Sequence, residues 1–299
     1  MVRYDKPGKI LIIHNPAAGQ KTTKLFGRTL ALLRASSSQI DIKETRASGH
    51  GRAIARTYKN GPYDKICAAG GDGTINEVLN GLYPSALPLG IIPLGTANVL
   101  AKEILPDEKA ETIAKTILDG TAKDCWLGKI QDQYFSLMVS MGPDAQAVIA
   151  VNLSLKKIIG KAAYALAFLK QILCYRPIVY QVTIDGKAHP ASAVIISKGQ
   201  FYGGAYVSAP DGDIGKRAFQ VLLFQNTGRF AALGYALKMI RGKIPYDKSV
   251  TIRPGTNITV SADHPACYQK DGEPGGQLPI TITLSDAPLS LLTLKDTCK

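Results

Sequence analysis

The 299-residue sequence predicts an α/β protein in two parts: an N-terminal nucleotide domain with a parallel sheet and a C-terminal antiparallel β-sandwich-like domain. Three observations predict it. The first third alternates short apolar runs with stretches of helical period, the pattern of βαβ units. Beyond about Asp124 the texture changes to closely spaced apolar runs separated by turn residues, the pattern of an antiparallel sandwich. Finally, the length lies above the usual single-domain range, and 45% hydrophobic content suffices for a sizeable core. The expected domains are 1–124 and 125–299, with the last strand free to return to the first domain.

Along the first part, residues 10–13 read as a strand, 21–34 as a helix, 40–44 as a strand and 51–58 as a helix. Strands at 65–69 and 89–92, each followed by a helix, continue the alternation. A helix over 108–118 is expected to stop at Asp119-Gly120, with the glycine in the left-handed conformation. In the second part, strands are expected at 134–139, 178–184, 193–197, 219–224, 258–260 and 280–284. Asp185-Gly186, residues 210–212 and residues 272–276 supply turns, and helices interrupt near 154–174 and 230–240.

Lys and Arg total 36 against 23 Asp and Glu, a net charge of +13, which favours anionic partners such as lipid headgroups, polyphosphates or nucleic acid. No nucleic-acid module accompanies these charges, so nucleic acid is not expected as a partner. The five cysteines are scattered without a C-x-x-C pair, which argues against a disulfide framework or a zinc site. The apolar run before His14 is too short for a signal-peptide core, and no stretch approaches the roughly 20 apolar residues of a membrane span. A cytoplasmic protein touching the inner face of the membrane peripherally is therefore expected, with a homodimer left open. The segment 154–176 places Leu155, Ile158, Ile159, Ala162 and Leu166 on one helical face and Lys156, Lys157, Lys161 and Lys170 off it. That arrangement suits either an anionic membrane surface or an ordinary core face.

The sharpest motif is Gly70-Gly71-Asp72-Gly73-Thr74, between an apolar strand and an apolar-periodic helix. Glycines there let backbone N–H groups approach phosphate oxygens, the helix dipole favours negative charge, and Asp72 is placed to meet Mg²⁺. Thr74 and Glu77 have capping-box spacing. A plain tight turn would use the same glycines. The Walker, Rossmann and protein-kinase signatures are all absent.

Gly70–Thr74 with the following Asn76 and Glu77 resembles the G-G-D-G-T signature of the diacylglycerol kinase catalytic-domain family. Further elements follow in family order: Asn15-Pro16-Ala17-Ala18-Gly19, Thr45 with Gly49-His50, Pro93-Leu94-Gly95-Thr96-Ala97-Asn98, Asp124, Gly142-Pro143-Asp144-Ala145, Gly203-Gly204 and Asp271-Gly272-Glu273. The ordered set is also similar to bacterial relatives of sphingosine and ceramide kinases. The resemblance implies a lipid kinase using ATP and Mg²⁺ in the cleft between the domains, with diacylglycerol at an anionic membrane surface as the expected substrate. It implies nucleotide contacts from Asn15, Pro16, Gly19, Thr45, Gly70, Gly71, Asp72, Gly73, Thr74, Asn76, Glu77, Gly95 and Thr96. Mg²⁺ would lean on Asp72 and Asp124, and the family places its proton acceptor and an ATP contact in Asp271 and Glu273, without deciding between them.

The chain departs from the family pattern in three places. Val99 stands where an acid is usual, and in a gapless alignment Lys216 and Arg217 replace the acid-glycine pair of a structural magnesium site. The basic spread of that same loop is the third departure. A sphingoid or ceramide kinase, an NAD kinase-like enzyme with a soluble substrate, and a non-catalytic lipid- or nucleotide-binding regulator are the alternatives. The missing N-x-G-x-L-G-F-L continuation weighs against the NAD kinase, and retention of Asp72, Asp271 and Glu273 weighs against the regulator.

Overall fold

A computed structural model describes residues 8–18, 23–36, 38–150 and 177–294. Gly19 and the helix expected near 154–176 lie outside them. The chain forms two compact units, one running to Trp126 and resuming at Asp286, the other being Leu127–Ser285.

The first unit runs β1 (Lys9–His14), α1 (Thr23–Ala35), β2 (Gln39–Glu44), α2 (His50–Tyr58), β3 (Lys65–Gly70), α3 (Asp72–Leu82) and β4 (Leu89–Pro93). It continues through α4 (Val99–Ile104), α5 (Ala110–Asp119) and β5 (Thr121–Cys125), and ends with β20 (Leu289–Thr293). Its sheet has the order β2-β1-β3-β4-β20-β5. All neighbours are parallel except β20 and β5. Every residue of β3 and β4 is buried, as parallel strands covered on both faces require. The order 2-1-3-4 puts a topological switch between β1 and β3, so the loops leaving their carboxyl ends diverge and open a crevice there.

The stop of α5 corrects one expectation. Gly120 has φ −63°, not a left-handed value. Close approach is what demands glycine, because a Cβ there would lie 2.2 Å from the Thr116 carbonyl oxygen. The helix end is closed by buried Lys65, whose ammonium donates to the carbonyls of Ile117 (2.5 Å) and Leu118 (2.8 Å). Burial pulls the Lys65 pKa below the ordinary lysine value.

The second unit opens with β6 (Gly128–Ile130), β7 (Gln133–Phe135), β8 (Met138–Met141) and α6 (Pro143–Ala150). It then runs β9 (Tyr180–Ile184), β10 (Lys187–Ala191), β11 (Ala193–Ser197), β12 (Phe201–Tyr202), β13 (Tyr206–Val207) and β14 (Phe219–Phe224). After α7 (Arg229–Ile240) come β15 (Val250–Gly255), β16 (Ile258–Ala262), β17 (Cys267–Lys270), β18 (Glu273–Gln277) and β19 (Ile280–Leu284). Two six-stranded antiparallel sheets result, β10-β9-β16-β19-β6-β7 and β15-β14-β11-β8-β17-β18. Val182, Ile258 and Ile282 of the first and Val139, Val194 and Val221 of the second share one core, the inner layer of a sandwich. The outer face of the second sheet is covered by α7, where Met239 packs with Ile195, Leu222 and Phe224.

Two segments differ from expectation. Residues 134–139 form not one strand but the end of β7 and the start of β8, which lie in different sheets. Between them the backbone turns its N–H groups toward the Asp271 carboxylate. Residues 273–277 are a strand rather than a turn: β18 pairs with β17 at the sheet edge, where its Pro274 is tolerated. Among the described residues no helix is long and apolar enough to cross a membrane.

Candidate active site

Four loops leave the carboxyl edge of the first sheet from the adjacent strands β2, β1, β3 and β4. The Asn15 N–H donates to the Ala69 carbonyl (2.9 Å), and its side-chain amide donates to Thr74 Oγ1 (2.9 Å), tying the β1 loop to the first turn of α3. Helix α3 begins at Asp72 with Gly71 as its N-cap. Thr74 therefore sits inside the first turn and the capping box does not form. The β3 and β4 loops meet backbone to backbone: a Cβ on Gly95 would lie 2.7 Å from Gly71 Cα and 2.7 Å from Asn98 Oδ1. Asn98, buried and at φ 49°, accepts the Gly95 N–H (2.9 Å) and donates to Glu108 (2.9 Å). Asp72 Oδ1 accepts the Val99 N–H (2.8 Å), so the residue replacing the family's acid still contributes its backbone to the site. Thr96 is exposed on this loop, and Asn76 lies one turn further along α3, accepting from the Asn80 amide (2.7 Å).

Glu77 closes the start of α2. Its carboxylate accepts the N–H groups of Gly49 (2.7 Å) and Gly51 (3.0 Å), replacing a side-chain cap that α2 lacks. Beside it a cavity of about 980 Å³ is lined by Pro16, Thr45, Arg46, His50, Ile54 and Tyr58 among others. Its volume is at the upper end for small-molecule sites, and it adjoins the glycine loops without including them.

Asp124 is not brought to Asp72. It pairs with Ser290, one residue before Leu291, which pairs with Leu89 at the amino end of β4; Asp72 follows Gly70, which pairs with Pro93 at the carboxyl end. The four steps along β4 and the one from Ser290 to Leu291 separate the two levels by about 16 Å, at about 3.3 Å per residue. One Mg²⁺ with ligands at about 2.1 Å cannot use both. Among the described residues no cluster of three or more His, Cys, Asp or Glu could hold a metal. A single carboxylate beside a glycine cradle fits a Mg²⁺ that arrives with phosphates, not a resident ion.

In the second unit Asp271 and Glu273 do not share an extended segment. Asp271 (φ 48°) and Gly272 (φ 82°) form the two-residue turn joining β17 to β18, and positive φ at both central positions favours an Asp-Gly pair. The Asp271 carboxylate accepts the N–H groups of Ser136 (2.9 Å), Leu137 (3.0 Å) and Met138 (2.9 Å), while Glu273 is exposed. A buried chain supports the turn: the Gly272 N–H donates to Gln269 Oε1 (2.8 Å), and Gln269 donates to Ser140 Oγ (2.6 Å). Ser140 and Tyr202 (2.6 Å) both donate to Asp144. Burial first, then Asp144, raises the Tyr202 pKa well above the ordinary value and keeps its hydroxyl a donor. Asp144 stood in a motif; Gln269, Ser140 and Tyr202 gave no sequence signal, because their partners are far away in the chain.

The loop that the family pattern gives to a structural magnesium does not fit one here. Lys198, fully buried, donates its ammonium to the carbonyls of Lys216 and Ala218 (3.0 Å to the latter) and lies 5.7 Å from the Phe219 ring. A fixed cation already engages two carbonyl oxygens of this loop, and Lys216 and Arg217 add no acid.

Comparison with known proteins covers nearly all of this architecture. Residues 9–130 match the diacylglycerol kinase catalytic domain, and residues 137–293 match the YegS C-terminal NAD kinase beta sandwich-like domain. A diacylglycerol kinase of Bacillus subtilis is 28% identical over 90% of this chain and 90% of its own, and one of Staphylococcus epidermidis is 26% identical over 95% and 92%. The crystal structure of a diacylglycerol kinase from Bacillus anthracis superposes with a TM-score of 0.79 at 23% identity, covering 96% of this chain and 97% of the other, which shows the fold. Because the two domain matches run in series through both units, the chain belongs to the diacylglycerol kinase catalytic-domain family, whose members are lipid kinases that transfer a phosphoryl group to an alcohol.

Proposed function

We propose that this chain transfers the γ-phosphoryl group of ATP to the free hydroxyl of diacylglycerol, giving phosphatidic acid and ADP. The observation that carries the reading is the backbone contact between Gly71 and Gly95 at the N-terminus of α3, with Asp72 beside it. The first-turn N–H groups of a helix have no intrahelical partner, and together with the helix dipole they favour phosphate oxygens. The cavity beside Thr45 and Pro16 has room for the nucleoside. Mg²⁺ arriving with ATP would supply charge neutralisation, and Asp72 would be the carboxylate that holds it.

As the lipid hydroxyl oxygen bonds to the γ-phosphorus, its proton must leave and the bond to the β,γ-bridging oxygen must break. Glu273 is the proposed proton acceptor. What supports it over Asp271 is that Asp271 engages three backbone N–H groups, a positioning role, while Glu273 is exposed. An assay of ATP turnover with and without diacylglycerol in detergent micelles tests the reading. Lipid-dependent formation of phosphatidic acid is expected; turnover indifferent to lipid, or none with ATP and Mg²⁺, would overturn it.

A further inference from the structure

Helix α7 is apolar on two opposite faces, and among the described residues only one is covered. Ala232 and Met239 are buried, and the Tyr235 ring packs edge-on against Phe224 at 4.8 Å. On the other side Phe230 (92% exposed), Leu233, Leu237 and Ile240 (60%) follow at spacings of three, four and three, which places them in one stripe along the helix. Tyr246, just beyond the helix, is 81% exposed. Soluble proteins scatter exposed apolar side chains singly, so an ordered stripe with an almost fully exposed phenylalanine marks a contact surface.

The charge around the stripe selects its occupant. Residues 229–248 carry five Lys or Arg and one acid, Asp247, and that acid is bound to Lys238 (2.6 Å). Exposed Arg229, Arg241, Lys243 and Lys248 have no acidic partner among the described residues. Apolar side chains bordered by unpaired cations match the interface of an anionic bilayer, where the former enter the acyl boundary and the latter meet phosphate groups. A second copy of the chain docked through the same face would oppose cation to cation.

The geometry points to α7 as the element by which this protein docks on an anionic lipid surface, with Phe230 and Ile240 inserted and Arg241 and Lys243 at the headgroups. The choice of occupant rests on the lipid-kinase reading. Docking through a stripe and a cation rim gives the enzyme access to a substrate that never leaves the membrane. The contact is reversible, since salt screens the cations over roughly 8 Å at physiological ionic strength.

Cosedimentation of the full chain with phosphatidylglycerol and with phosphatidylcholine vesicles tests it, alongside Phe230→Ser with Ile240→Ser and, separately, Arg241→Glu with Lys243→Glu. These side chains are exposed, so thermal melts should match the parent. The parent should prefer phosphatidylglycerol, the serine pair should lower the partition by about 10²-fold, and the glutamate pair by about tenfold or more. Phosphorylation of detergent-dispersed diacylglycerol should be unchanged in both. Parent-like vesicle binding by the serine pair would overturn the inference, as would a serine pair that changes only the oligomeric mass. Normal lipid phosphorylation in micelles with unaltered docking would remove the docking role alone. Loss of docking in the variants of a chain that phosphorylates no lipid would keep the docking role and remove the kinase reading.

Discussion

In the first unit Asp72 reaches a backbone N–H 27 positions away, on the neighbouring loop of the same sheet edge; in the second, Asp271 reaches three N–H groups 133 to 135 positions away. The phosphate loops are built from pieces that adjacent parallel strands deliver together, so their geometry depends on local backbone shape: glycines at contact points and a helix start. The Asp271-Gly272 turn depends instead on a carboxylate and a buried polar chain drawn from β8, α6, β12 and β17. Substitution should therefore damage binding without stability at Gly71, where a Cβ has room, and the two together at Asp271.

The largest effect is expected at Gly71. Its φ of −83° suits any residue and a Cβ would find Gly95 Cα at 3.4 Å, so Gly71→Asp should fold while its carboxylate repels phosphate. ATP affinity measured by calorimetry should fall beyond detection in a variant with parental melting. Next comes the acid pair. Glu273→Gln should lower turnover by about 10²–10⁴ at unchanged stability. Asp271→Asn should lose turnover and about 2–3 kcal/mol, since three N–H groups lose a charged acceptor. Urea titrations that found the two variants equally stable would erase the distinction between base and positioning residue.

Lys198→Met should cost about 3 kcal/mol, because the carbonyls of Lys216 and Ala218 lose the buried cation they accept from. Millimolar Mg²⁺ should not restore it; recovery by Mg²⁺ would show that the loop accepts an ion after all. The smallest effect belongs to Glu77→Ala, which removes the cap of α2 and should lower stability by about 1–2 kcal/mol. An ATP affinity that fell much further than stability would make Glu77 a nucleotide contact as well as a cap.

The legibility of the chain follows the same division. The βαβ alternation was readable because each strand and its helix are contiguous, with fully apolar runs such as 66–69 bounded by glycine. Thr74 and Glu77 misled because capping-box spacing makes Thr74 the N-cap and starts the helix after it, whereas α3 begins at Asp72 and frees Glu77 to cap α2. The run 134–139 is apolar but for Ser136 and reads as one strand, and only Asp271, far downstream, explains why it breaks. Strand β18 reads Glu-Pro-Gly-Gly-Gln, which no propensity favours; an edge position and pairing to β17 override it. Lys198 carries no signal in the sequence, since burial of a cation on carbonyls leaves no trace in a single sequence.

The place of β20 has a consequence for how the chain acquires its structure. Leu289–Thr293 lies between β4 and β5, and Thr293 both donates to the Ile104 carbonyl (2.7 Å) and pairs with Thr121. The first sheet thus waits on a strand made more than 160 residues after β5. During synthesis from the ribosome the place between β4 and β5 stays open while the whole second unit emerges, and two unpaired strand borders, β4 and β5, face solvent. Long-range closure of this kind slows folding and offers an edge to other nascent chains. A fragment cut at Trp126 would keep every phosphate-loop motif and still be a poor candidate for isolated expression.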